Sequence, residues 1–227
     1  MNYDFDFSVL WRYWPAIRHG FAVTLFLTIL VVSAGTPLGF AYALLLRRCP
    51  RWGQALLIFV MDVVRSIPVL ILIFLSYYLL PALFPIRVPS PFVIAWLSLS
   101  IYLAAFCADV IRGALAIIPR GYLDAARAVG LSRRQVFWRF ELRWVVKTVL
   151  PSLALLWIGM LKNSSLASVI GVYELTHTAD GIVANSFRSI ETYTVVAMCY
   201  IAVVLPFSVL ARRLERLSVM GGSSLDE

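Results

Sequence analysis

Charge is scarce in this chain. Asp, Glu, Lys and Arg supply 14% of its 227 residues, against roughly a quarter in an ordinary soluble domain, while 61% are hydrophobic. That ratio excludes an ordinary water-soluble globule. Lysine is nearly absent, Lys147 and Lys162 being the only two among 20 basic residues. Such a bias fits a GC-rich genome, so only arginines in unusual places carry information. Histidine occurs only as His19 and His177, and cysteine only as Cys49, Cys107 and Cys199, without metal-ligand spacing. A metal centre is therefore not expected, and the cysteines are read as packing residues. No GxxxxGK[ST] phosphate loop is present, so the chain is not expected to hold ATP or its Mg²⁺ itself. No convergent catalytic set is visible either, which sets a membrane enzyme aside. The first residues lack the basic, apolar and small order of a cleaved signal, since Asp4 and Asp6 come first and the apolar stretch after Gly20 is too long. There is no internal repeat.

What is there is hydrocarbon-length apolar sequence. A helix crossing about 30 Å of hydrocarbon needs roughly 20 mostly apolar residues. Five stretches qualify: 21–46, 55–80, 92–111, 144–161 and 193–210. The fold class expected is an all-α membrane protein with about five transmembrane helices in a single domain. The fourth stretch is the weakest, because Lys147, Pro151 and Lys162 interrupt or bound it, and a broken or bent helix is expected there. Pro81, Pro85, Pro89 and Pro91 mark a stiff loop, and the terminal GGSSLDE reads as a frayed tail.

The net charge of +8 does not point to nucleic acid, because the basic residues fall in short loops between apolar runs. Arg47, Arg48 and Arg51 follow the first span, eight more lie from Arg112 to Lys147, and Arg212, Arg213 and Arg216 follow the fifth. Cytoplasmic loops retain positive charge. The N-terminus is therefore expected outside and the C-terminus inside.

The longest polar stretch, from Ile118 to Leu153, has the signals of two short helices. Pro119 and Gly121 break the preceding span, and Tyr122 to Val129 allows two turns with Asp124 near the favourable end of the dipole. Gly130 suits the left-handed residue that ends a helix, and Ser132 followed by Gln135 fits a capping box opening the next. Ala125, Ala126 and Ala128 permit close approach by another surface, with Arg127, Arg133 and Arg134 at its rim. The segment reads either as a docking element or as a solvated connection.

Its residues resemble the signature loop of binding-protein-dependent ABC importer permeases: Glu-Ala-Ala, three residues, Gly, nine residues, Ile, one residue, Leu-Pro. Here it reads Asp124-Ala125-Ala126, Gly130, Phe140, Leu142, with Arg143 in place of proline. Further pieces are similar to the polar amino-acid branch of these permeases: Gly20 with Thr24-Leu25, Arg65-Ser66-Ile67-Pro68, Asp109 to Gly113, and Lys162-Asn163-Ser164-Ser165-Leu166. The resemblance implies an ABC importer type I permease fold in a bacterial inner membrane. It also implies a separate ATPase that binds ATP and Mg²⁺, a second permease copy or paralogue, and an extracytoplasmic amino-acid-binding protein. By the same resemblance, Asp124, Ala125, Ala126 and Gly130 belong to the helix, within a coupling segment at 121–143, that couples the permease to its ATPase.

Arg65 stands out physically. Ten residues into the second stretch, it should lie about 15 Å deep, and an arginine within a membrane is by default a functional candidate. It reads either as a receiver of a substrate carboxylate or as the partner of Asp62, three residues earlier on the same face. Pro68 removes a backbone hydrogen bond and could open the helix toward substrate. Arg65, Ser66, Pro68, Lys162 and Ser164 are the substrate-path candidates, although Lys162 could equally anchor its span. Asp109 and Arg112 read as a snorkelling pair, and His177 as a loop residue. The Arg-Ser-Ile-Pro variant resembles acidic amino-acid permeases, so glutamate or aspartate is the expected substrate. The alternative class is an ATP-independent carrier or channel for small polar solutes.

Overall fold

The computed structural model describes residues 4–83 and 90–220, and every regular element among them is helical. Pro85, Arg87, Pro89 and the tail 221–227 lie outside the described residues. The elements are α1 (Val9–Arg48), α2 (Arg51–Ser66), α3 (Val69–Leu83), α4 (Pro91–Ala116), α5 (Arg120–Ala128), α6 (Arg133–Val136), a π-helical turn (Phe137–Glu141), α7 (Leu142–Asn163), a 3-10 turn (Ser164–Ile170), α8 (Leu175–Ser186) and α9 (Ser189–Met220). Four stretches have the length and composition to cross a bilayer: Val9–Arg48, Pro91–Ala116, Arg133–Ile170 and Ser189–Arg213. A fifth exists only if α2 and α3, bent by 102° at their junction, count as one broken span.

The bundle is organised around α1 and α4, which run parallel. Phe26 stacks on Phe92 with ring centroids 5.9 Å apart, and the Trp96 indole donates to the Leu30 carbonyl at 3.1 Å. Farther along, Gly35 faces Ser100 and Leu103, and Gly39 faces Ala104, Cys107 and Ala108. In lipid the hydrophobic effect does not drive helices together, so small residues that let backbones touch are the device available. A methyl group at Gly39 would meet the Cys107 Cβ at 2.6 Å and the Ala104 carbonyl at 2.7 Å. Leu27, Val31, Leu99, Leu103 and Cys107 fill the seam around these contacts.

The α7 helix packs antiparallel to both. The Trp157 indole donates to the Thr36 hydroxyl at 2.9 Å, and Glu141, just before α7, pairs with Arg47 at the end of α1. Of the broken or bent helix expected in the fourth stretch, no break falls at Pro151, and the regular helix gives way to the 3-10 turn after Asn163, just past Lys162. The sharp bend instead falls in the second apolar stretch, at Ser66–Pro68, where Ile67 is extended and proline disfavours helix in the residue before it. The first apolar stretch is also shorter than its helix, since α1 begins at Val9. That overhang carries α8 and the start of α9, packed through Leu10, Ile17, Leu175, Ala179, Ile182 and Val196.

Candidate coupling and translocation sites

The coupling segment is built by its caps. The amide of Gly130 donates to the Arg127 carbonyl at 2.9 Å and that of Leu131 to the Ala126 carbonyl at 3.3 Å, the paired bonds that close a helix end around a left-handed residue. Gly130 supplies it with φ +79. Ser132 and Gln135 then bond reciprocally and start α6. Of the four residues assigned to coupling, Asp124, Ala125 and Gly130 are exposed, while Ala126 is buried. Tyr122, its ring 6.2 Å from that of Trp144, gives α5 a footing.

Behind this surface, α6 passes through the π turn into α7. One extra residue per turn shifts the helix face, and it brings Glu141, 7% exposed, onto Arg47. A nearly buried carboxylate needs such a partner. The end of α1 is thereby tied to the root of the coupling segment.

A second set of charges lies between α2 and α4. Arg65 bonds to Asp62 on its own helix and, at 2.6 Å, to Asp109 on α4, and Asp109 also holds Arg112 at 2.6 Å. Both readings of Arg65 therefore meet two carboxylates already in place. Asp109 is seven residues, about 10 Å, from the end of α4, and its bond to Arg65 puts the end of α2 at that level. The Ser66 hydroxyl donates to the Asp62 carbonyl at 2.7 Å, and Pro68 opens α3.

Lys162 and Ser164 lie at the other end of α7, about 16 Å along the bundle from Asp109, judged from the Trp157–Thr36 and Gly39–Cys107 registers. Lys162 is exposed, whereas Ser164 is fully buried with its hydroxyl donating to the Leu161 carbonyl at 2.7 Å. The structure thus separates the five path candidates into two groups.

Glu174 escaped sequence reasoning. It is fully buried, caps α8 by accepting the His177 amide at 2.8 Å, and meets the hydroxyls of Thr24 and Tyr200 at 3.4 Å each. Neither its cap on α8 nor its burial against α1 and α9 was read from the sequence. His177 belongs to the first turn of α8 rather than to a loop, and its ring contacts the Ser168 carbonyl at 3.3 Å. Burial pushes the Glu174 carboxyl up from its ordinary 4.5, with the bonds from Thr176, His177, Thr24 and Tyr200 opposing. The folded state consequently holds this proton more tightly than the unfolded one, and stability falls as pH rises through the window above 4.5. Amide-exchange protection of Leu175–Ser186 should decline across that window and become flat in Glu174→Gln, which keeps the cap. An unchanged slope in the variant refutes the assignment.

Residues 35–218 match the family described as binding-protein-dependent transport system inner membrane component. The chain belongs to this family. It is 33% identical over 215 residues to the glutamine transport system permease protein GlnP of Escherichia coli (strain K12), covering 94% of this chain and 97% of that one. It is 29% identical to the octopine transport system permease protein OccM of Rhizobium radiobacter, over 87% and 83% of the two chains. Among solved structures, an amino acid ABC transporter crystallised with histidines superposes with a TM-score of 0.84 at 30% identity, over 94% of this chain and 99% of that one. The fold is that of a type I ABC importer permease.

Proposed function

We propose that this chain is the permease subunit of an ATP-driven importer of polar amino acids in a bacterial inner membrane. Its N-terminus lies outside and its C-terminus inside, and it works with a separate ATPase, a second permease and an extracytoplasmic binding protein. The observation that carries this reading is the capped, outward-facing α5 with Asp124, Ala125 and Gly130 exposed at the arginine-rich end of the bundle. The full-length likeness to amino-acid permeases supports the substrate class. Clustering of Arg47, Arg48, Arg112, Arg212 and Arg213 at that end supports the orientation.

In this reading Lys162 lines the outer part of the path, with Ser164 buried behind it, and Arg65, Ser66 and Pro68 line the inner part. Glutamate and aspartate carry a second carboxylate, and Arg65, which holds Asp62 and Asp109 through its two terminal nitrogens, keeps a buried Nε–H donor without a partner. Uptake of labelled glutamine, glutamate and aspartate into proteoliposomes containing the assembled transporter tests the reading. Uptake should require internal ATP, and uptake that persists without ATP favours the carrier alternative instead. Arg65→Leu strands Asp62 and weakens the α2–α4 tie, so the uptake rate should fall severalfold; unchanged uptake removes Arg65 from the path.

A further inference from the structure

A cavity of about 270 Å³ opens between α1, α2 and α4 at the arginine-rich end of the bundle. Its walls are Ala43, Leu46, Ile58, Leu115 and Ala116, and its polar groups are Arg47, Gln54 and Arg112. Apolar and cationic linings are segregated by residue type. The two guanidinium side chains are 43% and 47% exposed, and each known pair, Arg47 with Glu141 and Arg112 with Asp109, engages one terminal nitrogen. A guanidinium has five N–H donors, so both retain capacity for another oxyanion. Arg48 and Arg51 adjoin the cavity in sequence, both exposed, leaving cations in excess of Glu141 and Asp109.

The cavity's height identifies the ligand. From Ala43 to Arg48, α1 passes from apolar sequence to its arginine end within about 8 Å, the distance over which hydrocarbon gives way to headgroups. Exposed Leu45, Leu56, Phe59 and Ile117 lie within two residues of its lining in sequence, and Trp52, 75% exposed, stands where interfacial tryptophans reside. We propose that this cavity binds one anionic phospholipid, its phosphate held by Arg47 and Arg112 and its glycerol and proximal acyl carbons lying on Leu46, Ile58 and Leu115. Bidentate phosphate binding suits guanidinium geometry, and the apolar wall gives a lipid an advantage that a free anion lacks. Bound there, the lipid would brace α2 against α1 and α4.

Native mass spectrometry of the purified full-length chain tests this, using mixed micelles with equal mole fractions of phosphatidylglycerol and phosphatidylcholine. One phosphatidylglycerol should be retained per chain in preference to phosphatidylcholine. Arg112→Gln should reduce that retention about fivefold, the share of one basic side chain near an anionic surface. Ile58→Trp fills the cavity without altering charge and should reduce it as well, so the second variant decides if the first does not fold. Equal retention of the two lipids, or retention unaffected by Ile58→Trp, overturns the proposal. Displacement of the lipid by inorganic phosphate or by free glutamate also overturns it, because either result makes this a small-anion site.

Discussion

Gly39→Leu should eliminate folded protein from the membrane fraction. The α1–α4 seam is set by backbone contact, and even one methyl at Gly39 would sit 2.6 Å from the Cys107 Cβ and 2.7 Å from the Ala104 carbonyl. Neither neighbour is the free end of a flexible side chain that could swing aside. Overpacking by a methylene or two costs about 1–3 kcal/mol, and leucine adds three carbons beyond that first methyl. Gly35 is similarly placed, since a methyl there would lie 2.9 Å from the Ser100 carbonyl and 3.0 Å from Leu103, so α1 cannot pivot about it to relieve the clash. Because the Trp96–Leu30 bond and the Phe26–Phe92 stack depend on the same register, the loss should be cooperative. Thermal unfolding in detergent, read by size-exclusion chromatography, checks this. Gly159→Ala, with nothing within 4 Å, is the control and should melt like the parent. A Gly39→Leu protein that also melts like the parent shows that the α1–α4 contact does not set stability.

Gly130→Leu should leave the bundle folded and release the ATPase. Nothing lies within 4 Å of the position a Cβ would take, so no core contact is lost. The cost is conformational. With φ +79, an L side chain other than Asn or Asp is strained by about 1–2 kcal/mol, enough to shift a local equilibrium about 5- to 30-fold. The segment can relieve that strain only by giving up the Gly130–Arg127 and Leu131–Ala126 bonds that fix the angle between α5 and α6. Leucine also places bulk on the exposed face beside Asp124 and Ala125. Co-purification of the ATPase and ATP-driven uptake should both fall at least tenfold, while the melting temperature of the isolated chain is kept. Gly130→Asn, which tolerates the left-handed region, should restore most of both. Retained ATPase with coupled uptake in Gly130→Leu would end the assignment of this segment to docking.

Much of the coupling segment was legible because its signals are local. Gly130 ends α5 and Ser132 with Gln135 starts α6 through bonds spanning three to five residues, and residues of that range sit side by side in any sequence. The apolar runs were legible for a related reason. Hydrocarbon imposes a length on each helix, and loops collect the charge. Pro151 misled, because a proline in a long packed helix can be accommodated by its neighbours, as Pro37 and Pro206 also are. The break at Ser66–Pro68 was half legible: Pro68 pointed to an opened backbone, but its 102° turn depends on what α2 and α3 each rest against.

The sequence by itself determined that this chain spans a membrane as helices, which of its ends is basic, and where its longest polar segment begins and ends. Each of those follows from composition or from contacts a few residues apart. Only the tertiary structure decided the parallel seam of α1 on α4 and the pairing of Arg47 with Glu141. It alone joined Arg65 to Asp109 and buried Glu174 beneath Thr24 and Tyr200. Those partners lie from 26 to 150 residues apart, and neither charge nor hydropathy at one position states which distant position will face it. The Arg65–Asp109 bond likewise set the end of α2 against α4 seven residues before that helix ends, a juxtaposition that counting along one helix does not give.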